Sequence, residues 1–121
     1  MGAEAQEAGP EHVRQYELRW ANLPAPIGRR PVLLLTRTAA YTYLNKVMVG
    51  EVTSTIRRIP QEVAVGRGEG LRQSSVVNLD NVHVVPTACL GDRIGAVSAS
   101  REHEVKRALG HALGWAELKV L

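Results

Sequence analysis

The sequence predicts a small, mainly β (α+β) domain: about six short antiparallel strands curled into a strongly curved sheet or barrel, closed by a C-terminal helix. Three observations predict it. Apolar residues recur in short strand-like runs between tight turns, a single stretch near the C-terminus has helical periodicity, and 121 residues with 45% hydrophobic content can bury one modest core and hardly two. That core has to be aliphatic, because the chain has no Phe and aromatic residues make up only 4% of it.

Each element follows from its local sequence. Residues 1–13 are rich in Ala, Gly, Glu and Gln, broken by Gly9-Pro10, and have no apolar periodicity to fold around. They are expected to be a disordered leader ahead of one domain spanning 14–121. "YELRW" then alternates Tyr16, Leu18 and Trp20 with Glu17 and Arg19, a strand with one apolar face. Two prolines and a glycine between Leu23 and Gly28 make a turn. In "PIGRRPVLLLTR" four consecutive apolar residues, Val32 to Leu35, follow a proline; they predict a strand over Arg30 to Thr36 buried on both faces, with Arg29 and Arg30 where it leaves the core.

A polar loop from Arg37 to Lys46 holds Tyr41 and Tyr43, which either stack on unpaired bases or form one side of a packed loop. "KVMVGEVT" is a third strand, apolar at Val47, Val49 and Val52, that runs into the hydroxyl cluster Thr53-Ser54-Thr55. "QEVAV" is a fourth, with the glycine-rich turn "GRGEG" after it. "SSVVNLDNVHVV" is one long strand, or two kinked at Leu79-Asp80, ended by Pro86. A short strand over Ile94 to Val97 precedes the helix, for which Ser98 is the expected N-cap; Val105, Ala108, Leu109 and Ala112 form its buried stripe, and it ends near Gly114.

Composition narrows the function. Residues 1–13 carry three acids and no Lys or Arg, residues 74–121 balance five of each, and residues 14–73 hold ten bases against four acids. A basic excess confined to that stretch fits a face that meets phosphates or an acidic partner. Because arginine dominates it, planar bidentate phosphate contacts are favoured over diffuse attraction. Cys89 is the only cysteine, so no intrachain disulfide is available, and the four scattered histidines give no zinc spacing. No stretch approaches a membrane span and the N-terminus is acidic rather than basic, which points to a cytoplasmic protein away from membranes.

The chemistry is read by elimination. The acids are dispersed, with no D-x-D or H-E-x-x-H, so neither a metal nor another cofactor is expected. No G-x-S-x-G elbow occurs, and Cys89 has no evident activator. His83 alternates with Val82 and Val84 and is expected to face outward. What remains is Arg30 before one strand and Thr53-Ser54-Thr55 after another, followed by Arg57-Arg58. Guanidinium and hydroxyl donors at strand ends can surround a phosphate without a metal, which suits phosphodiester transfer by the 2′-hydroxyl of RNA itself.

Five blocks, "YELRWANL", "RRPVLLL", "VTSTIRRIPQEVAV", "SSVVNLDNV" and "LGDRIGAVS", followed by the helix, keep the order and spacing of the MazF/PemK family of toxin ribonucleases, which this chain resembles over nearly all of its length after the leader. The resemblance implies a compact barrel of SH3 type, a homodimer, and sequence-specific cleavage of single-stranded RNA to a 2′,3′-cyclic phosphate and a 5′-hydroxyl. It also implies a cognate MazE-like antitoxin whose acidic segment blocks the groove. Arg30 matches the family's catalytic arginine before Pro31, and Thr53 its hydroxyl residue. Arg29, Ser54, Thr55, Asp80 and Asn81 are the expected RNA contacts, the last two at the position of a family pair that lines the groove. A guanidinium with a pKa above about 12 is a poor base, so Arg30 is assigned to stabilising the phosphate, and the base is left open.

The departures are specific. "PAPIGRRP" is shorter than the usual family loop and has no acid, which removes one candidate base; Arg29 either binds a neighbouring phosphate in its stead or is simply solvated. His83 replaces a common arginine, and Tyr16 a usual glycine, the latter read as a change of packing. The rival functions on such a barrel are a gyrase poison of CcdB type, which uses an aromatic C-terminal end such as Trp115, and a binding module that holds RNA without cutting it.

Overall fold

A computed structural model describes residues 13–121. Six strands run β1 (Glu17–Leu23), β2 (Gly28–Leu34), β3 (Lys46–Thr53), β4 (Glu62–Val65), β5 (Ser75–Pro86) and β6 (Leu90–Ala96), followed by helices α1 (Glu102–Leu113) and α2 (Ala116–Lys119). All pair antiparallel in one curved sheet ordered β4-β5-β3-β2-β1-β6, a half-barrel with a C-terminal helix, as the sequence predicts. Of the expected leader, residues 1–12 lie outside the described residues. Val13 is buried, so the folded unit takes in the last residue assigned to that leader.

The sheet buries both faces, each in its own cluster. On one, Leu18, Leu33, Val52, Val63 and Val77 pack beneath α1 through Val105 and Ala108. On the other, Val32, Leu34, Val47, Val49 and Val85 pack with Val13 and Tyr41. Consecutive residues Val32, Leu33 and Leu34 are therefore all sealed from solvent, as a strand buried on both faces requires. It also explains the irregular apolar spacing of β3, where Val47 and Val49 face one cluster and Val52 the other. Each fully buried Val or Leu contributes roughly 1.5–3 kcal/mol. Tyr41 is the one aromatic residue among the buried hydrophobics of the described chain, which bears out an aliphatic core.

Edge closure rests on close backbone packing. A Cβ on Gly95 of β6 would stand 1.8 Å from the Glu69 carbonyl oxygen, so only glycine lets the 66–70 turn lie on β6. Arg101 clamps the same turn to the helix start, bonding Glu69, Glu104 and the Ala64 carbonyl. Its guanidinium holds the Glu104 carboxyl below the usual carboxylate range. Across β1 and β6, buried Glu17 accepts from Arg19 Nε and Arg93 Nε, each at 2.9 Å.

Three local expectations are corrected. Ser98 does not cap α1: a 3₁₀ turn over Ala99–Arg101 intervenes, and the helix begins after Arg101 without a side-chain cap. The segment after β2 is not plain loop but contains a 3₁₀ turn at Thr38–Thr42, which drives the Tyr41 ring into the second cluster; Tyr41 cannot stack on a base, whereas Tyr43 stays exposed. The strand expected over Ile94 to Val97 begins four residues earlier, at Leu90. Tyr16 has φ +70°, the left-handed region that glycine enters without strain, so backbone conformation as well as packing is at stake at this position. Gly114, with φ +73°, ends α1 where expected.

Candidate functional site

Strand register builds the site. Val32 of β2 stands opposite Glu51 of β3, and Pro31, with no N–H to give, ends the ladder. Continuing that register by two residues carries Arg30 to the level of Thr53, so the two converge although 23 residues separate them in sequence. Both line an open cleft of about 660 Å³ with Trp20, Arg29, Ser54, Arg72 and Gln73. Its lining includes three arginines and no acid, a cation-rich trough suited to phosphates.

Each side chain is held in a definite way. The Arg29 guanidinium lies 4.2 Å from the centroid of the Trp20 ring, a cation–π stack in the cleft lining. Thr53 Oγ1 accepts the Thr55 backbone N–H at 3.1 Å, which leaves the hydroxyl proton to donate elsewhere. The loop after Thr53 is shaped by the Glu62 carboxylate, which accepts the N–H groups of Arg57 and Arg58. Arg58 sits in the left-handed region at φ +59° to make that turn.

Of the residues expected from the sequence, Arg29, Arg30, Thr53 and Ser54 share the cleft. Thr55, Asp80 and Asn81 are not among its lining residues. Thr55 is exposed and contributes its backbone to the turn. Asp80 and Asn81 are exposed on a bulge of β5, where the partner of β3 passes from Gly50↔Val82 to Glu51↔Asn78. The Asp80 N–H bonds Asn78 Oδ1 at 2.9 Å, which holds the bulge in shape. Gly50 permits it, because a Cβ there would come within 2.9 Å of the Leu79 and Val77 side chains.

Sequence reasoning missed Glu51, together with Trp20, Arg72 and Gln73. Glu51 Oε1 accepts from Arg30 Nη1 at 2.8 Å, and Oε2 lies 2.9 Å from His83 Nε2. A carboxylate of β3 thus stands directly behind Arg30 without lining the cleft, and His83 is half-buried against it rather than freely outward-facing. The available signal was parity: Val47, Val49, Glu51 and Thr53 fall on one side of the strand, so Glu51 continues an inward-facing row. Among the described residues no group of three His, Cys, Asp or Glu side chains is arranged to hold a metal ion. Nor is any helix of the described residues long and apolar enough to cross a membrane.

Comparison with known proteins is consistent from sequence to fold. Residues 14–113 match the family model described as PemK-like, MazF-like toxin of type II toxin-antitoxin system. The chain is 42% identical over 88 residues to Endoribonuclease MazF3 of Mycobacterium tuberculosis, covering 71% of this chain and 85% of that protein. Among solved structures it resembles the Mycobacterium tuberculosis toxin MazF-mt6, with a TM-score of 0.77 and 38% identity over 81% of this chain and 96% of that one. A mycobacterial endoribonuclease in complex with its cognate antitoxin is similar too, with a TM-score of 0.74 and 28% identity over 85% of this chain and 96% of that one.

Proposed function

The chain belongs to the PemK-like, MazF-like family of toxin endoribonucleases of type II toxin–antitoxin systems, and from that premise we propose that it cleaves single-stranded RNA without a metal, in the cleft between Arg30 and Thr53. The observation that carries this reading is that a guanidinium and a free hydroxyl proton line one cleft, which has three arginines and no acid in its lining. The 2′-hydroxyl oxygen attacks the adjacent phosphorus and the bond to the 5′ oxygen breaks, leaving a 2′,3′-cyclic phosphate and a 5′-hydroxyl. Solvent takes the proton from the 2′ oxygen and returns one to the departing 5′ oxygen, so no net proton is consumed.

In this scheme the protein positions groups and stabilises charge. Arg30 keeps its proton throughout and donates to the non-bridging oxygens as negative charge builds on the pentacoordinate phosphorus. Thr53 donates to the same phosphate. Arg29 and Ser54 hold the flanking backbone, and the exposed Thr55, Asp80 and Asn81 contact RNA that runs on beyond the cleft. An acidic antitoxin segment would occupy the same trough by charge complementarity, and the active form is a homodimer in the cytoplasm.

The test is incubation of the purified protein with a long single-stranded RNA in EDTA, with mapping of cut sites and end groups, beside an Arg30→Ala control. Cuts at one short motif with cyclic phosphate ends, lost in the control, are the expected result. Intact RNA across varied sequences overturns it. Gyrase-linked DNA damage would then support the CcdB-type reading, and salt-sensitive RNA binding without cleavage the binding module.

A further inference from the structure

Arg30 reaches its place in the cleft through a carboxylate on another strand. Glu51 sits two residues before Thr53 on β3, and its side chain is only 12% exposed. Each of its oxygens has a separate partner: Oε1 takes Arg30 Nη1 at 2.8 Å, and Oε2 meets His83 Nε2 at 2.9 Å. His83 comes from β5, paired with Val49 one step along the same side of the sheet. The three side chains thus form a row across β2, β3 and β5. Neither Glu51 nor His83 lines the cleft, whereas Arg30 does.

A guanidinium on a flexible stem would ordinarily sample many rotamers, and holding one of its nitrogens removes much of that freedom. Among the described residues the Glu51 contact is Arg30's one side-chain hydrogen bond. It uses one N–H, so the other donors remain for a ligand in the cleft. The second carboxylate oxygen accepts from His83 at 2.9 Å, a contact that opposes any swing of the carboxylate with Arg30.

We propose that Glu51 is the positioning residue of this site: anchored by His83, its carboxylate fixes the Arg30 guanidinium so that the free N–H donors face the scissile phosphate. This inference rests on the ribonuclease reading for its consequence in catalysis, while the positioning itself is a property of the free protein. Glu51 does not touch substrate and takes no proton from it. The single-residue cause of slow cleavage in a Glu51 variant is a misdirected Arg30.

The experiment uses the full chain and compares Glu51→Gln with wild type, Arg30→Ala and the double variant. In single-turnover cleavage of a defined RNA, Glu51→Gln is expected to lower kcat about 10- to 100-fold while KM stays within about threefold, since a misaimed donor harms the transition state more than ground-state binding. Its penalty disappears in the Arg30→Ala background, because both changes act through one guanidinium. The Arg30 side-chain N–H resonance, identified by its loss in Arg30→Ala, moves toward the position of a free arginine in Glu51→Gln. That last measurement needs no activity.

Cleavage by Glu51→Gln at the wild-type rate, or an Arg30 resonance that does not move, overturns the inference. So does a penalty that persists in full without Arg30, which would make Glu51 act on RNA directly. Activity loss that only follows the unfolded fraction in thermal melts overturns it as well. If Glu51→Gln does not fold, His83→Ala serves instead: releasing one oxygen should lower kcat severalfold and shift the same resonance, and no change in either refutes the anchoring. Should wild type cut no RNA at all, the ribonuclease reading falls alone, and the resonance still decides whether Glu51 holds Arg30.

Discussion

Replacing Thr53 by Val tests the cleft chemistry with little disturbance to the fold. Valine keeps the β-branched shape that suits the end of β3 and removes only the hydroxyl. In the structure that hydroxyl accepts one bond, from the exposed Thr55 N–H at 3.1 Å. Water can replace the lost acceptor at an exposed turn, so the stability change should stay within about 1 kcal/mol. The proton the hydroxyl donates has no substitute in valine. A hydrogen bond to a charged group contributes about 1.5–3 kcal/mol, so if it forms to the phosphate in the transition state, kcat should fall about 10- to 150-fold. Thr53→Ser, which retains the donor, should stay within about threefold of wild type. Single-turnover cleavage with thermal melts of each variant makes the comparison. Valine and serine variants that cleave equally fast would refute the donor role of Thr53, and a large fall in melting temperature for Thr53→Val would refute the claim that its hydroxyl is structurally dispensable.

Other predictions concern the frame around the site. Glu17→Ala strips the shared carboxylate from buried Arg19 and from Arg93, leaving the Arg19 guanidinium with the Gly91 carbonyl, and should destabilise the fold by about 3 kcal/mol in urea unfolding; a shift in midpoint within error would contradict the buried pairing. Gly95→Ala drives a Cβ onto the Glu69 carbonyl and should cost about 2 kcal/mol or more, visible as a lowered melting temperature; an unchanged melt would mean that the 66–70 turn does not rest on β6. Burial pushes the Tyr41 phenol up to about 12, above the ordinary tyrosine value of 10.0 that the unfolded chain has. The folded state therefore keeps this contribution to its stability below pH 10 and loses it as pH rises from there toward 12. Ultraviolet titration of wild type against Tyr41→Phe reads this step, and Tyr41 ionising in the folded protein at the ordinary value would refute the burial.

Much of the fold could be read from local pattern, and the misses have specific causes. The apolar run after Pro31 and the stripe of Val105, Ala108, Leu109 and Ala112 each occupy a few consecutive residues, and burial acts on them directly; alternation in "YELRW" located β1 but not its burial, because Glu17 and Arg19 on the polar face are buried as an ion pair and the strand begins after Tyr16. Tyr41 and Ser98 depended on 3₁₀ turns whose signals are weak, and tertiary packing chose where those turns fell. Thr55, Asp80 and Asn81 lie close in sequence to cleft or bulge residues, but a turn and a register shift send them away from the cleft lining.

By itself the sequence determined a basic, aliphatic β fold with a closing helix, and the family resemblance carried by its blocks singled out Arg30 and Thr53. The fold follows from composition and periodicity, which act among neighbouring residues, whereas the choice of that pair is what the resemblance implies. Only the tertiary structure decided which donors share one cleft, and only there does Glu51 meet Arg30 across 21 residues and His83 across 32. The reason is that a carboxylate finds its partners through strand register and a bulge in β5, and register is fixed by the whole sheet as it closes over two cores.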